Sequence, residues 1–383
     1  MTRTLYGYAF LDDFVLLYPV YALLFDDTGL SLGQTSSLFA LWSVTGVLLE
    51  VPSGAWADAV SRRLLLWLGP LLTAVGFALW VLVPSYGAFA LGFVLWGAGG
   101  ALGSGALEAL VYEELDRLGA GEDYARVMGR ARAAGLVGVM AAMGLAGPVL
   151  AVGGYSAVGA AGVLTCLLTA AVATRFPEQR SATARSESWY GALRAVGRPG
   201  RPVIAALLLV AAVGSVWGAL DEYTPLLVRD SGVPDWAGPY ALLLVWAGAT
   251  AGSLLAGPGE RLGAAGFAGL LAGSALALAA GALARAPAGL LLVAVAFGGF
   301  QLATVLADAR FQRRIDDGAR ATVTSIAGLG TELATVAVFG AYAAIGSRTG
   351  HSTAFAVFAA PYLVTATLVA GTGVAGRGRG DRA

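Results

Sequence analysis

Five carboxylates stand in stretches whose composition is otherwise that of hydrocarbon. Asp12 and Asp13 lie in the apolar run that opens the chain, Asp221 and Glu222 in another near its middle, and Glu332 in one near its end. An ionisable side chain at the centre of a bilayer costs about 2.5 to 3.5 kcal/mol on insertion scales, so such groups pair with one another or line a cavity. A carboxyl group in an apolar setting with no cation beside it favours its protonated form. It can take up a proton when dry and release it when wet. The segment Gly330-Thr331-Glu332-Leu333 offers no cation, and at 1.5 Å per residue Glu332 lies roughly 16 Å into its run, near the midplane. Asp12 and Asp13 lie roughly 13 Å deep by the same measure. Successive residues on a helix point about 100° apart, so one of the two is expected to face a cavity. Tyr8, Asp12 and Pro19 share a face, which favours Asp12. Asp221 and Glu222 occupy the outer third of their run and could do similar work. The competing reading of all five is structural, with hydrogen bonds to Ser, Thr or Tyr pinning helices together.

The elements that hold these acids follow from composition. The chain has 383 residues, 57% hydrophobic and 13% charged, with a mean hydropathy of +0.74. A soluble domain carries about 25% charged residues, so this is expected to be an integral membrane protein. About 20 apolar residues cross a bilayer as a helix, and hydropathy and helix breakers divide the chain into twelve such segments: 4–26, 34–57, 64–83, 86–112, 127–150, 153–174, 202–228, 237–257, 262–284, 287–309, 321–346 and 352–374. No room is left for a large soluble domain, and no removable signal peptide is expected. A net charge of zero speaks against nucleic acid as a partner. The single cysteine, Cys166, excludes an internal disulfide, and the single histidine, His351, leaves little material for His-based catalysis or a metal site. No metal and no cofactor is expected. No Ser/His/Asp constellation and no phosphate-binding loop appears, so an enzyme is not expected. Tyr8, Trp42, Trp96, Trp217 and Trp246 are placed deep enough to line a pocket for an amphipathic ligand, although single aromatics in a span are more often packed or lipid-facing.

All 24 basic residues are arginine. With a cytoplasmic N-terminus, only Arg229, Arg285 and Arg348 fall outside, leaving 21 inside, as the positive-inside rule requires. Both termini are therefore expected in the cytoplasm. The one long polar connection, between spans six and seven, carries Trp189 and Tyr190, which could mark a short amphipathic piece on the membrane surface. The expected domains are an N-terminal six-helix half at 1–175, a cytoplasmic linker at 176–201, and a C-terminal half with a cytoplasmic tail at 202–383.

The halves echo each other. Leu11-Asp12-Asp13-Phe14 is matched by Leu220-Asp221-Glu222-Tyr223, each followed by a proline, Pro19 and Pro225. Glu108-Ala109 is matched by Asp308-Ala309, and Gly54-x3-Asp58 more weakly by Ala256-x3-Glu260. Duplicated halves of this kind are how many secondary transporters are built.

Between spans two and three, Gly54-Ala55-Trp56-Ala57-Asp58-Ala59-Val60-Ser61-Arg62-Arg63 resembles the loop signature of the major facilitator superfamily, G-x-x-x-D-x-x-G-R-[KR], with Ser61 in place of the second glycine. The resemblance implies an all-α membrane protein of twelve transmembrane helices in two pseudo-symmetric six-helix halves. It also implies a cytoplasmic gate built on Gly54, Asp58, Arg62 and Arg63, with Glu113 or Glu114 as acid partners. Glu108, Arg132 and Asp308 are further gate candidates. Ser61 puts the tightness of the turn in doubt, because serine is poorer than glycine at positive φ. In span five, Gly135-x8-Gly144-x2-Gly147-Pro148 partly resembles the glycine and proline pattern of drug-extruding antiporters of that superfamily. Its other reading is generic close packing of helices, with Pro148 bending the helix end.

The function expected is proton-coupled export of small amphipathic molecules by a multi-pass monomer in the inner (cell) membrane, with the lipid bilayer and a small-molecule substrate as partners. Carboxylates without basic residues in the spans favour a neutral or cationic cargo. One alternative is uptake by symport, which would call for more amides than the few, nearly confined to Gln34, Gln301 and Gln312, found here. Another, of a different class, is a non-transporting sensor or assembly partner.

Overall fold

The structure, a computed structural model, describes residues 1–59, 61–103, 106–177, 201–313 and 320–377, with the side chains of 50–59 and a few others at segment ends outside that set. The linker expected at 176–201 falls almost entirely outside it, Trp189 and Tyr190 included. Phe176, placed at the start of that linker, is buried in the core of the first half. The chain forms two compact units, Met1–Ser186 and Glu187–Ala383.

Only helices occur among the described residues. In the first unit they are α1 (Thr2–Asp13), α2 (Tyr21–Asp27), α3 (Leu32–Ala59), α4 (Arg62–Leu82), α5 (Tyr86–Gly103), α6 (Ala106–Arg117) and α7 (Tyr124–Ala173). The second holds α8 (Arg201–Asp230), α9 (Gly238–Leu254), α10 (Ala264–Leu283), α11 (Gly289–Gln312), α12 (Arg320–Thr349), α13 (His351–Val357) and α14 (Ala360–Arg377). Ten helical stretches among the described residues are long and apolar enough to cross a membrane. One of them is double, because α7 turns at Gly154, whose φ of 60° and ψ of −163° suit only glycine. Counting it twice and adding the interrupted first span, α1 and α2, is consistent with twelve. The change of direction in this region lies at Gly154, beyond Pro148, which stays within the helix.

The echo seen in sequence extends to packing. In the first unit α1 packs on the first part of α7, α3 and α4 each pack on α5, and α4 packs on the second part of α7. In the second unit α8 packs on α12, α9 and α10 each pack on α11, and α10 packs on α14. Spans one to six and seven to twelve thus share these four pairings, while α8 packs in addition on α11. Small residues permit the closest of these approaches, as at membrane helix interfaces generally. A Cβ at Gly69 would come within 2.7 Å of the Gly99 carbonyl, and one at Gly248 would meet the Ala294 carbonyl. Gly273, by contrast, has open space around it.

These two glycines give opposite expectations for the same change. Gly248→Ala should destabilise the protein by about 1 to 3 kcal/mol through overpacking. Gly273→Ala should be neutral or stabilising by up to about 1 kcal/mol, the helix-propensity gain. Thermal unfolding of both variants in detergent checks the sign of each.

Candidate functional site

The first span is broken immediately after its acidic pair. α1 ends at Asp13, and the chain runs through turns from Phe14 to Val20 before α2 begins. Pro19 accounts for part of this, since it has no N–H to offer the Val15 carbonyl and its ring crowds that oxygen. The freed backbone is closed locally: Phe14 N–H donates to the Leu11 carbonyl (3.2 Å), Tyr18 N–H to Val15 (3.2 Å) and Tyr21 N–H to Leu17 (2.9 Å). Rings hold the break and the helix after it against α4 and α5. Tyr18 stacks on Trp96 of α5 (5.2 Å, 16°), and Tyr21 and Phe25 of α2 pack on Trp80 and Phe93. The far end of α2 is tied down by the Tyr155 hydroxyl, which donates to Asp27.

The two acids take different surroundings. Asp13 is lodged against α7, its carboxylate lying where a Cβ on Gly135 would be. One turn along, a Cβ on Gly138 would meet the Phe10 carbonyl. Asp12 is exposed and lines a cavity of about 270 Å³ inside the first unit. Tyr8 and Asp12 of α1, Tyr18 of the break, Leu66, Pro70 and Thr73 of α4, Trp96, Gly99, Gly100 and Gly103 of α5, Leu107 of α6, and Cys166 and Thr169 of α7 surround it. Asp12 is the one charged residue among them.

Of the packing residues expected in span five, Gly135 makes a close approach and Gly147 is buried. Gly144 does not fit that expectation within its unit, because a Cβ there would meet nothing within 4 Å. Pro148 is exposed.

At the end of the first unit that carries the loop signature, Arg62 pairs with Glu113 of α6 at 2.5 Å. Arg62 is well buried and Glu113 half-buried. Glu114 is buried and takes Arg117, three residues on, in a two-point ion pair. Ser61 resolves the doubt about the turn: its φ is −66°, so no left-handed residue is needed, and its hydroxyl caps α4 by accepting from the Leu64 N–H (3.3 Å). The side chains of Gly54 and Asp58 lie outside the described residues. Arg63, half-buried, opens α4 beside Arg62, while Glu108 and Arg132 are exposed.

In the second unit Asp221 and Glu222 are half-buried on α8, which runs unbroken past them. The expectation for Glu332 rested on a buried carboxylate with no partner. The structure corrects that: Glu332 is exposed on α12 and is not without a partner. Depth along a span does not say which face a residue occupies. Asp308 is also exposed and accepts a hydrogen bond from the Gln312 amide (3.5 Å). Arg310 donates to the Leu262 carbonyl (2.8 Å) and sits over the Phe267 ring (4.4 Å), while Arg313 pairs with Glu260 (3.5 Å).

One residue of the second unit had no sequence signal. The Tyr362 hydroxyl, from α14, accepts from the Trp217 N–H (2.8 Å) and donates to the Val213 carbonyl (3.0 Å), bonding both ends of one rung of the α8 ladder. That rung lies one turn before Asp221. Gly138, Tyr18 and Tyr362 all owe their importance to a neighbour far away in the chain. Among the described residues no group of three or more His, Cys, Asp or Glu could hold a metal ion.

Two measurements check these contacts. In a double-mutant cycle of Arg62→Ala and Glu113→Ala, the coupling free energy is expected within about 0.5 to 3 kcal/mol, and a value near zero would show the pair to be incidental. Tyr362→Phe should cost about 1 to 3 kcal/mol in stability and speed amide exchange at Trp217, while leaving exchange in α4 unaltered.

No curated protein sequence matches the chain. Among solved structures it is similar to a variant of the nucleoside transporter NupG (TM-score 0.79, 14% identity, covering 97% of this chain and 99% of that one). It is also similar to the POT family transporter PepTSo (TM-score 0.73, 13% identity, 99% and 98% covered). A bacterial homolog of the human lysosomal transporter Spinster gives a TM-score of 0.69 at 18% identity, with 96% and 94% covered. At such identities the likeness speaks for the fold. The family model of the Major Facilitator Superfamily matches residues 5–339. With its repeated helical units and its acid-bearing broken span, the chain belongs to the Major Facilitator Superfamily and is a membrane transporter rather than an enzyme.

Proposed function

We propose that this transporter exchanges protons for small amphipathic molecules, neutral or cationic, and moves them out of the cell by alternating access. The observation that carries the reading is Asp12, an acid at the end of a half-helix and the one charged residue lining the cavity of its unit. With no basic residue around it, such a group attracts a proton or a cation and repels an anion. One carboxylate cannot hold both at full strength, and competition between them is the simplest basis for exchange. Asp221 and Glu222 are candidates for the same role in the second unit, as is Glu332, which is exposed on its helix as Asp12 is. The Arg62–Glu113 pair fits a gate that closes one side. The arginine distribution supports cytoplasmic termini, and a monomer in the inner membrane is the simplest assembly.

Uptake by symport is the second reading, since one similar structure is that of a nucleoside transporter. It is disfavoured because the amides that would read hydroxyl groups are engaged elsewhere. Gln34 caps its own helix through Ser31, and Gln301 donates to Ser253 at 2.9 Å.

The test is reconstitution into vesicles holding a pH-sensitive dye, with a panel of lipophilic cations as cargo. Wild type is expected to move protons when cargo is added. Asp12→Asn is expected to reduce that flux about tenfold or more, equivalent to about 1.4 kcal/mol, and Glu332→Gln to reduce it less. If both variants retain full coupled flux, the coupling assignment is wrong.

A further inference from the structure

The oxygens around the Asp12 cavity have largely spent their protons on the backbone. Thr73 donates to the Gly69 carbonyl (3.2 Å), Thr169 to the Thr165 carbonyl (2.9 Å) and Tyr8 to the Leu66 carbonyl (3.4 Å). A hydroxyl whose hydrogen is already given offers only lone pairs to whatever enters. Ionised Asp12 is likewise an acceptor. Four acceptors therefore line the cavity, while the Trp96 indole N–H is given to Tyr18, whose ring is stacked on it and whose hydroxyl is the remaining strong donor. A ligand rich in acceptors would leave this wall unanswered. A ligand with several N–H donors and a positive charge answers it.

Size narrows the choice. At about 270 Å³ the cavity falls just under the roughly 300 to 1,000 Å³ of pockets that enclose a whole drug-sized ligand. It suits a charged head and the first part of an apolar body, for which Leu66, Pro70 and Leu107 supply the walls. On the α5 side the wall is open, because a Cβ at Gly100 or Gly103 would meet nothing within 4 Å.

We infer that this cavity is a recognition site for a primary ammonium head group on a small apolar body, and that it selects against the fully methylated ammonium of the same charge. This rests on the cationic-cargo reading above and sharpens it. A trimethylammonium group keeps the attraction to Asp12 but has no N–H, so Thr73, Thr169 and Tyr8 would lose water and gain nothing.

The experiment is isothermal titration of the purified full-length protein with phenethylammonium and with its N,N,N-trimethyl analogue, run beside the proton-flux assay. The primary amine is expected to bind about tenfold or more tightly than the trimethyl analogue. Gly100→Leu, which fills the cavity from its open side, is expected to abolish amine binding. Thr73→Val is expected to weaken the primary amine and leave the trimethyl analogue unaltered, and it serves where Gly100→Leu does not fold. Equal or tighter binding of the trimethyl compound overturns the inference, as does unaltered amine binding in a folded Gly100→Leu protein. Proton-coupled flux of neutral compounds with no amine binding overturns it too, while leaving proton exchange standing. Selective amine binding without proton flux supports the site and removes the exchange reading.

Discussion

A backbone that leaves the helix inside hydrocarbon has to find every hydrogen bond within the protein, since no water is there to supply one. The first span of this transporter leaves the helix at Phe14, directly after two carboxylates. Much of the first unit is organised by that single interruption. The loose amides turn back on Leu11, Val15 and Leu17. The glycines of α7 let the end of α1 lie against them, the Phe10 carbonyl on Gly138 and the Asp13 carboxylate on Gly135. A cluster of rings from α2, α4 and α5 closes over the turn region, where aromatic pairs add about 0.5 to 1.5 kcal/mol each beyond their buried area. The cavity is the space left when these elements meet around Asp12.

The same constraint explains why two adjacent acids are treated so differently. A second carboxylate facing the cavity would add charge with no added cation to balance it, and like charges in a shared site oppose each other's ionisation. Turning Asp13 onto Gly135 separates the two. Helix geometry makes this inevitable once α1 packs on α7, because neighbours on a helix point about 100° apart. The glycine is what makes the position habitable for a carboxylate, since any Cβ there would take its place.

Much of the site could be read from letters alone, and the exceptions have one cause. The apolar runs and the acid pair follow from local composition, and the pairing of a signature arginine with an acid on the fourth span from the resemblance that the loop carries. Ser61 was read as a weakened glycine because a motif compares residue types, whereas its capping bond to Leu64 depends on where α4 begins. Pro19 announces a bend, but it cannot say that α1 stops at Asp13, before the proline's own reach. For Glu332 the spacing gave a depth but not a face, since hydropathy has no azimuth when a span is apolar on most sides. Gly138 and Tyr362 act on partners in other spans, and no window along the chain contains both members of either contact.

The two units also show what duplication does and does not preserve. Four pairings of helices recur in both, so much of the packing scheme is shared. Their acid-bearing spans are not interchangeable. In the first, the proline follows Asp12 by seven residues and the helix has already ended. In the second, Pro225 follows Asp221 by four, so it removes the very amide that the Asp221 carbonyl would have bonded, yet α8 continues to Asp230. One turn earlier the Tyr362 hydroxyl bonds both ends of the rung between Val213 and Trp217. The α8 ladder is thus supported from α14 before its acids and loses a rung after them, without a break. The acid pair of the first unit sits at a helix end, and that of the second lies inside a continuous helix.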